Sequence, residues 1–257
     1  MIRLLALALL VPAIAVANSP FDGTWKTRVD SVKVSGKPDV YLVAGGMYEC
    51  SSCVPVYKIK ADGTDQAVVD TGYRDHIAFK VLSPTAVEMT AKKAGKTVYA
   101  GTMTVSADGS KLASSFTSYT GEKPATFAFT ETRTAPAPAG AHAISGTWRQ
   151  DDMSSMSDVT STVTLQSTPG GLKMMWNGQT TDAKFDGKEY LTSGDPGKTH
   201  VSLKKISEVQ IEETDRREGK VYDVIVYTAT ADGKSISVVD TDPVHETKTV
   251  SVMDKVH

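Results

Sequence analysis

Apolar and polar residues alternate along this chain in short runs, and turn-forming dipeptides separate the runs at intervals of roughly 8 to 12 residues. Alternation with a period of two is typical of strands that are half buried in a sheet, and helical periodicity is weak throughout. Asn-Gly and Asp-Gly pairs favour tight hairpins. The candidate turns are Asp62-Gly63, Asp108-Gly109, Asn177-Gly178, Asp186-Gly187 and Asp232-Gly233. The pattern therefore predicts an all-β chain of successive antiparallel hairpins.

This strand pattern occurs twice. The segment from His76 to Gly109 reappears from His200 to Gly233 without a gap, at an offset of 124 residues. A shorter motif repeats as well, since Gly23-Thr24-Trp25 recurs as Gly146-Thr147-Trp148. Self-similarity of this kind is the signature of duplicated structural units. The chain is therefore predicted to contain two.

A Pro-Ala segment between the copies sets the predicted domain boundaries. Residues 134–141 read TAPAPAGA, which favours extended, polyproline-like backbone. We predict a β module at residues 18–133, a linker at 134–141 and a second module at 142–257, which is expected to fold alone. A meander of about eight strands removes its exposed edges by closing. Two tandem antiparallel β-barrels are the predicted fold, with two open β-sandwiches as the alternative.

The first 17 residues have the pattern of a secretory signal peptide. Arg3 precedes an apolar run, and small residues lead to a predicted cleavage after Ala17. The run is interrupted by Pro12 and is shorter than the roughly 20 apolar residues of a membrane-spanning helix. We therefore predict a secreted or periplasmic protein without a membrane span.

Composition and motifs exclude several classes of function. The chain carries 28 Lys and Arg against 30 Asp and Glu, for a net charge of −2, and has no basic stripe with interleaved aromatics. Nucleic acid is therefore not a predicted partner. No P-loop, G-x-S-x-G or dinucleotide-binding fingerprint occurs either. No catalytic residue and no cofactor are predicted.

Cys50 and Cys53 form a C-x-x-C motif. A redox motif needs a thiolate stabilised at a helix N-terminus, but the residues from Val54 to Lys60 read as a strand. In the oxidising compartment that the signal peptide indicates, such a pair favours a disulfide across a turn. A thiol-disulfide oxidoreductase is the alternative. A metal site would need two further ligands, and the histidines are too scattered to supply them, so no metal is predicted.

The Gly-x-Trp motifs at Gly23–Trp25 and Gly146–Trp148 resemble the signature of the lipocalin and calycin group. The resemblance implies that each Trp closes a barrel floor and that a basic residue of the last strand packs over it. Arg133 ends the first module, and Lys255 is a poorer substitute in the second. Segments such as GGMYECSSC, GAHAISGTWR and ETDRREGKV further resemble an uncharacterised family of secreted bacterial proteins with two such halves, which implies the same fold and location.

The second module has the stronger candidates for a ligand pocket. In VYDVIVYTA, the face that carries Tyr222 and Val224 is the more uniformly apolar one and is predicted to point inward. In GLKMMW, Met174 and Trp176 lie on one side of a strand, where core packing is the simplest interpretation and a pocket wall is the alternative. We predict a pocket within residues 146–257, with Trp176 on its wall and Trp148 at its floor. Met153 and Met156 are read as a loop over its mouth.

The predicted function is that of a non-catalytic binding protein for a small hydrophobic molecule. The alternative is a structural or interaction protein that contacts components of the bacterial envelope and has packed barrels. A cavity of a few hundred Å³ lined by apolar groups distinguishes the two, because a structural barrel is filled by its own side chains.

Overall fold

The computed structural model describes residues 19–256, so the predicted signal peptide lies outside the described residues. Antiparallel strands make up nearly all of its regular structure. In chain order they are β1 Gly23–Thr27, β2 Lys33–Gly36, β3 Asp39–Ala44, β4 Met47–Cys50, β5 Tyr57–Lys60, β6 Gln66–Ala67, β7 His76–Ser83, β8 Ala86–Lys93, β9 Lys96–Val105, β10 Lys111–Ser118 and β11 Ala125–Ala135. They continue with β12 Gly146–Met156, the helix α1 Asp158–Ser161, β13 Thr162–Thr168, β14 Gly171–Trp176, β15 Gln179–Lys184, β16 Tyr190–Leu191, β17 His200–Ser207, β18 Gln210–Arg217, β19 Lys220–Ala229, β20 Ser235–Asp242 and β21 Thr247–Lys255.

The strands form two nearly closed antiparallel barrels, and the predicted two-barrel fold is confirmed. Strands β3 to β12 make the first barrel, in which β12 returns to pair with β3 between Trp148 and Asp39. Strands β13 to β21 make most of the second. Each barrel has its own apolar core. Closing each sheet on itself leaves few strand edges exposed.

The opening strand of each repeat lies in the barrel of the other repeat. Strand β1 inserts between β13 and β21, where Trp25 pairs with Val163 on one side and with Lys255 on the other. Strand β12 pairs with β11 and β3 of the first barrel. Trp25 accordingly packs in the second core and Trp148 in the first, each with 0% of its surface exposed. The two repeats exchange one strand.

The predicted boundaries are therefore wrong for both opening strands. Residues 18–133 include β1, which belongs to the second barrel, and residues 142–257 include β12, which belongs to the first. The proposed linker at 134–141 is also wrong, because Thr134 and Ala135 end β11 and Ala135 pairs with Thr147. The Pro-Ala segment joins two neighbouring strands of one barrel. The chain crosses between barrels at residues 28–38 and at α1.

Turn residues account for the register of several hairpins. Asn177 and Gly178 have φ angles of 46° and 82°, the left-handed pair that a type I′ turn requires. Ala94 and Gly95 join β8 to β9 with φ angles of 48° and 78°. At Asp108-Gly109 only the glycine is left-handed, so that hairpin uses a different turn. The predicted turn positions thus connect the strands, but not all through one turn type.

Candidate ligand-binding cavities

The first barrel contains an open cavity of about 490 Å³. Strands β5, β7, β8 and β9 supply its wall, together with the segment after β4. Its apolar and aromatic lining consists of Cys53, Val54, Tyr57, Tyr73, Ile77, Met89, Val98 and Tyr99. Its polar lining consists of Asp39, Ser52, Arg74, Ser118, Thr120 and His245. A mainly apolar cavity of this size with a few polar groups is typical of sites for small organic ligands.

Aromatic contacts hold the wall of this cavity in place. Tyr99 stacks on Phe116 with ring centroids 4.8 Å apart. Tyr57 meets the edge of Tyr48 at 5.9 Å between centroids, and Tyr48 is itself a buried residue of the core. Burial raises the pKa of both Tyr57 and Tyr99, so their hydroxyls stay protonated at neutral pH. The wall is therefore packed against the core and offers neutral hydrogen-bonding groups.

Gly101 makes room for the Phe116 ring. A Cβ atom at this position would lie 2.0 Å from Cδ1 of Phe116 and 2.3 Å from the carbonyl oxygen of Ser115. Gly101 pairs with Phe116 on one side and with Met89 on the other. The missing side chain thus lets an aromatic ring lie across β9 inside the barrel, next to Tyr99.

The predicted disulfide between Cys50 and Cys53 is present and lies at the rim of the cavity, with Cα atoms 5.4 Å apart. Cys50 is fully buried, and Cys53 lines the cavity. The Ser52 hydroxyl donates to Asp39 Oδ1 at 3.2 Å and accepts from the Val40 amide at 3.0 Å. The bridge and these hydrogen bonds fix the loop against β3 and shape the opening.

Two neighbouring carboxyl groups lie at the β3 and β11 side of the first barrel. Glu131 has 0% of its surface exposed, and neither of its carboxyl oxygens has a hydrogen-bond partner in the described chain. Burial, and then the charge of Asp39, raise the pKa of Glu131 to about 8. Burial also raises the pKa of Asp39. The pair therefore adds less negative charge to the barrel at neutral pH than two ordinary carboxylates would.

The second barrel contains a smaller cavity of about 380 Å³ with acidic walls. Glu213 and Asp215 of β18 line it together with Asp240 of β20, and Met174 and Trp176 of β14 also contribute to the lining. Two carboxyl oxygens, Oδ1 of Asp215 and Oδ1 of Asp240, are buried without a hydrogen-bond partner in the described chain. This interior is chemically unlike that of the first barrel.

The acidic groups of the second cavity hold protons more strongly than exposed carboxyl groups. Burial, followed by the charge of Glu213, raises the pKa of Asp215 to about 9. Burial, followed by the charge of Asp223, raises the pKa of Asp240 to about 7. The Tyr227 hydroxyl donates to Glu213 Oε2 at 2.8 Å, which satisfies one oxygen of that buried group. Desolvation of neighbouring carboxyl groups disfavours their charged forms.

The prediction for the inward face of β19 is wrong. Ile225 and Tyr227 line the second cavity, whereas Tyr222 and Val224 are not among the lining residues. The Tyr222 ring instead packs under Arg217, whose guanidinium carbon lies 4.4 Å from the ring centroid. Carboxyl groups on the neighbouring strands occupy this interior, so the more apolar face of β19 is the outer one. A rule that places the more apolar face inward fails here for that reason.

The structure brings together only part of the predicted pocket. Met174 and Trp176 both line the second cavity. Trp148 cannot form its floor, because it is buried in the core of the first barrel. Met153 and Met156 do not form a loop over the mouth, since both are residues of β12 and pair with β11. The strand exchange explains both errors.

Equivalent interior positions are apolar or aromatic in the first barrel and acidic in the second. The pairings of β7 to β10 recur in β17 to β20 at the offset of 124 residues, with bulges at the same places. Met89, Ala91, Tyr99 and Phe116 of the first barrel correspond to Glu213, Asp215, Asp223 and Asp240 of the second. The apolar cavity is therefore in the first barrel, whereas the sequence pattern predicts it in the second.

Tyr73 contributes to both cavities. Its ring lines each of them, and its hydroxyl donates to Asp195 Oδ1 of the second barrel at 2.7 Å. The guanidinium carbon of Arg217 lies 4.7 Å from the Tyr73 ring centroid. A side chain at Gly197 would strike this ring, because a Cβ atom there would lie 2.5 Å from it. Tyr73 therefore lies at the boundary between the two cavities.

The residues that sequence reasoning missed are Tyr57, Tyr73, Arg74 and Tyr99. The repeat offered one signal, since Arg74 and Lys198 occupy equivalent positions before the repeated strand. Arg74 lines the first cavity, whereas Lys198 is exposed on a left-handed turn. Nothing in the local sequence shows that only one of these basic residues faces a cavity.

No family model, curated protein or solved structure matches the chain. Within residues 19–256, no helix is long and apolar enough to cross a membrane. The same part of the chain contains no group of three or more His, Cys, Asp and Glu residues arranged to hold a metal ion. The functional assignment therefore rests on the cavities themselves.

Proposed function

We propose that this protein is a secreted, non-catalytic binding protein that takes a small, largely apolar ligand into the cavity of its first barrel. The observation that carries the proposal is this open cavity of about 490 Å³, lined mainly by aromatic and aliphatic side chains. A barrel with a purely structural role would fill this space with its own side chains. The first barrel instead leaves it open.

The energetics of the lining support an apolar ligand. Ile77 is 1% exposed and belongs to the core, while Met89, Val98 and Tyr99 pack against that core at the cavity wall. Burial of apolar surface contributes roughly 25 cal/mol per Å², so a ligand that buries about 200 Å² would gain about 5 kcal/mol before the costs of association. That gain is compatible with reversible binding.

The disulfide supports a location outside the cytoplasm. Cys50 and Cys53 are bonded to each other, and structural disulfides persist in oxidising compartments. The signal-peptide pattern of residues 1–17 points the same way. The placement of Cys50 disfavours a redox role, because it is fully buried and β5, not a helix, is the next regular element.

The test is a titration of the mature chain, from Asn18 onward, with N-phenyl-1-naphthylamine. This neutral aromatic probe fluoresces in apolar surroundings. We expect saturable binding of one probe per chain, with competition by an aliphatic alcohol such as 1-decanol. A lack of saturable binding would contradict the proposal and would favour a structural or interaction protein of the envelope.

A further inference from the structure

We propose that Arg74 recognises an oxyanion on the ligand, so that the natural ligand is an amphipathic organic anion with an apolar or aromatic body. This inference rests on the proposed function, since it concerns the same cavity. Its starting point is the position of Arg74, which lines both the inner cavity and an outer cleft of about 440 Å³ between β5 and β6. Val56 and Val69 on that cleft are 60% and 64% exposed.

The guanidinium of Arg74 lacks a partner in the described chain. Its Nε atom is buried without a hydrogen-bond acceptor, and no side chain of residues 19–256 forms an ion pair with it. Other half-buried arginines of this protein are satisfied: Arg133 donates to three carbonyl oxygens, and Arg217 Nε donates to Thr199 Oγ1 at 3.0 Å. A buried donor left unsatisfied is costly, so Arg74 is poised for an acceptor.

Two phenols reinforce this position. Tyr57 of β5 and Tyr99 of β9 line the same cavity as Arg74. The charge of Arg74 opposes the burial that raises the pKa of both tyrosines. Both hydroxyls are protonated and can donate, as the guanidinium does. Within residues 19–256 the Arg74 Nε has no acceptor, and donors of this kind suit an oxyanion.

The rest of the cavity suits the apolar part of such a ligand. Ile77, Met89 and Val98 supply apolar surface in the same cavity. Asp39 is the one acidic residue in the lining, and its raised pKa weakens any repulsion of an anion. A planar guanidinium binds carboxylate, sulfonate or phosphate groups in a bidentate manner, which gives orientation as well as affinity. In the second cavity, the lining arginine, Arg217, already donates from Nε to Thr199 Oγ1 at 3.0 Å.

The experiment compares two probes that differ by one charged group. 8-Anilinonaphthalene-1-sulfonate carries a sulfonate on the skeleton of N-phenyl-1-naphthylamine, which does not. Both are titrated into the full mature chain, the Arg74→Gln variant and the Arg149→Gln variant. Arg149 is exposed and lies outside the inner cavity, so this control removes the same charge from another place.

We expect Arg74→Gln to weaken binding of the sulfonate probe by roughly tenfold or more, as the loss of a charge-assisted hydrogen bond predicts, and to change the affinity of the neutral probe less than about threefold. Arg149→Gln should change neither. An equal loss for both probes, or no loss for the sulfonate, would overturn the inference while leaving the proposed function in place. If the neutral probe fails to bind the wild-type chain, the proposed function fails instead.

Thermal unfolding of each variant shows whether it is folded. Because Arg74 has no partner to lose, Arg74→Gln is expected to unfold at nearly the wild-type temperature. If Arg74→Gln does not fold, Arg74→Lys is used instead, because lysine keeps the positive charge but lacks the planar, bidentate guanidinium. That variant must bind the sulfonate probe more weakly than wild type and the neutral probe equally well, and any other result contradicts the inference.

Discussion

Arg133 covers the indole ring of Trp148, with its guanidinium carbon 3.9 Å from the ring centroid. Its nitrogens donate to the carbonyl oxygens of Gly109, Ala143 and Ser145, each at 2.6 Å. Arg133 ends the first repeat, whereas Trp148 opens the second. At the equivalent place in the other barrel, Lys255 Nζ lies 5.3 Å from the Trp25 ring centroid. In each barrel, the basic residue that covers the Trp ring therefore comes from the other repeat.

Replacing these two basic residues should have unequal effects. Arg133→Met removes three hydrogen bonds and a cation–π contact, so we expect the free energy of unfolding to fall by about 2 to 4 kcal/mol. Lys255→Met removes a longer contact to Trp25 and should cost less than about 1 kcal/mol. Urea unfolding measures both. A loss below about 1 kcal/mol for Arg133→Met would show that the Arg133 contacts do not stabilise the first barrel.

The stability of the protein is predicted to fall as the pH rises from about 4 to about 9. The pKa values of Asp240 and Asp215 are raised from 3.8 to about 7 and about 9. Between the ordinary and the raised values, the folded protein holds protons that the unfolded chain has released. Each group therefore contributes stability at low pH that is lost as the pH rises through its folded pKa. Urea unfolding at about pH 5 and about pH 9 measures the difference.

Two variants locate the source of this pH dependence. Asp215→Asn should make stability less dependent on pH above about 5, because the amide does not titrate. Asp108→Asn is the matched control: hydrogen bonds from Ser106 and Ser110 lower the pKa of this exposed group to about 2, so it does not titrate in this range. Stability that is constant or rises between about pH 5 and pH 9 in the wild-type chain would contradict the prediction.

The strand exchange predicts the behaviour of fragments. Residues 142–257 lack β1 and carry β12 without its partners, so we expect them to lack a cooperative thermal transition. Strand β1 runs antiparallel to β21 and pairs Trp25 with Lys255. A permuted fragment, in which residues 157–256 are followed by a short Gly-Ser turn and then by residues 19–28, should therefore show a cooperative transition. Circular dichroism distinguishes the two. A cooperative transition in the unmodified fragment would mean that β1 is dispensable for the second barrel.

Local pattern predicted much of the fold. Alternation of apolar and polar residues gave the strands, and the repeat gave two barrels, because these features depend on neighbours along the chain. The disulfide followed from the strand after Cys53 and from the expected compartment. The exchange could not be predicted, since Gly23–Trp25 and Gly146–Trp148 are identical in sequence and each fits beside a basic residue of a last strand. Only the three-dimensional path of the connections decides between them.

The location of the apolar cavity was missed for a different physical reason. In the first repeat the two faces of β9 look similar in sequence, because Gly101 interrupts one of them. That glycine is what admits the Phe116 ring across β9. In the second repeat the carboxyl groups that line the interior, such as Asp215 and Asp240, read as solvent-facing residues. Burial of acidic groups is an exception that pattern alone does not reveal.

The measurement that tests the central claim most directly is the affinity of N-phenyl-1-naphthylamine for two cavity-filling variants. Ser118→Trp places an indole in the first cavity, and Thr192→Trp places one in the second, each from a half-buried polar position. With both variants shown to be folded by thermal unfolding, Ser118→Trp is predicted to weaken binding by roughly tenfold or more, about 1.4 kcal/mol, whereas Thr192→Trp leaves it unchanged. Loss of binding in Thr192→Trp with wild-type affinity in Ser118→Trp would place the ligand in the second barrel and contradict the account.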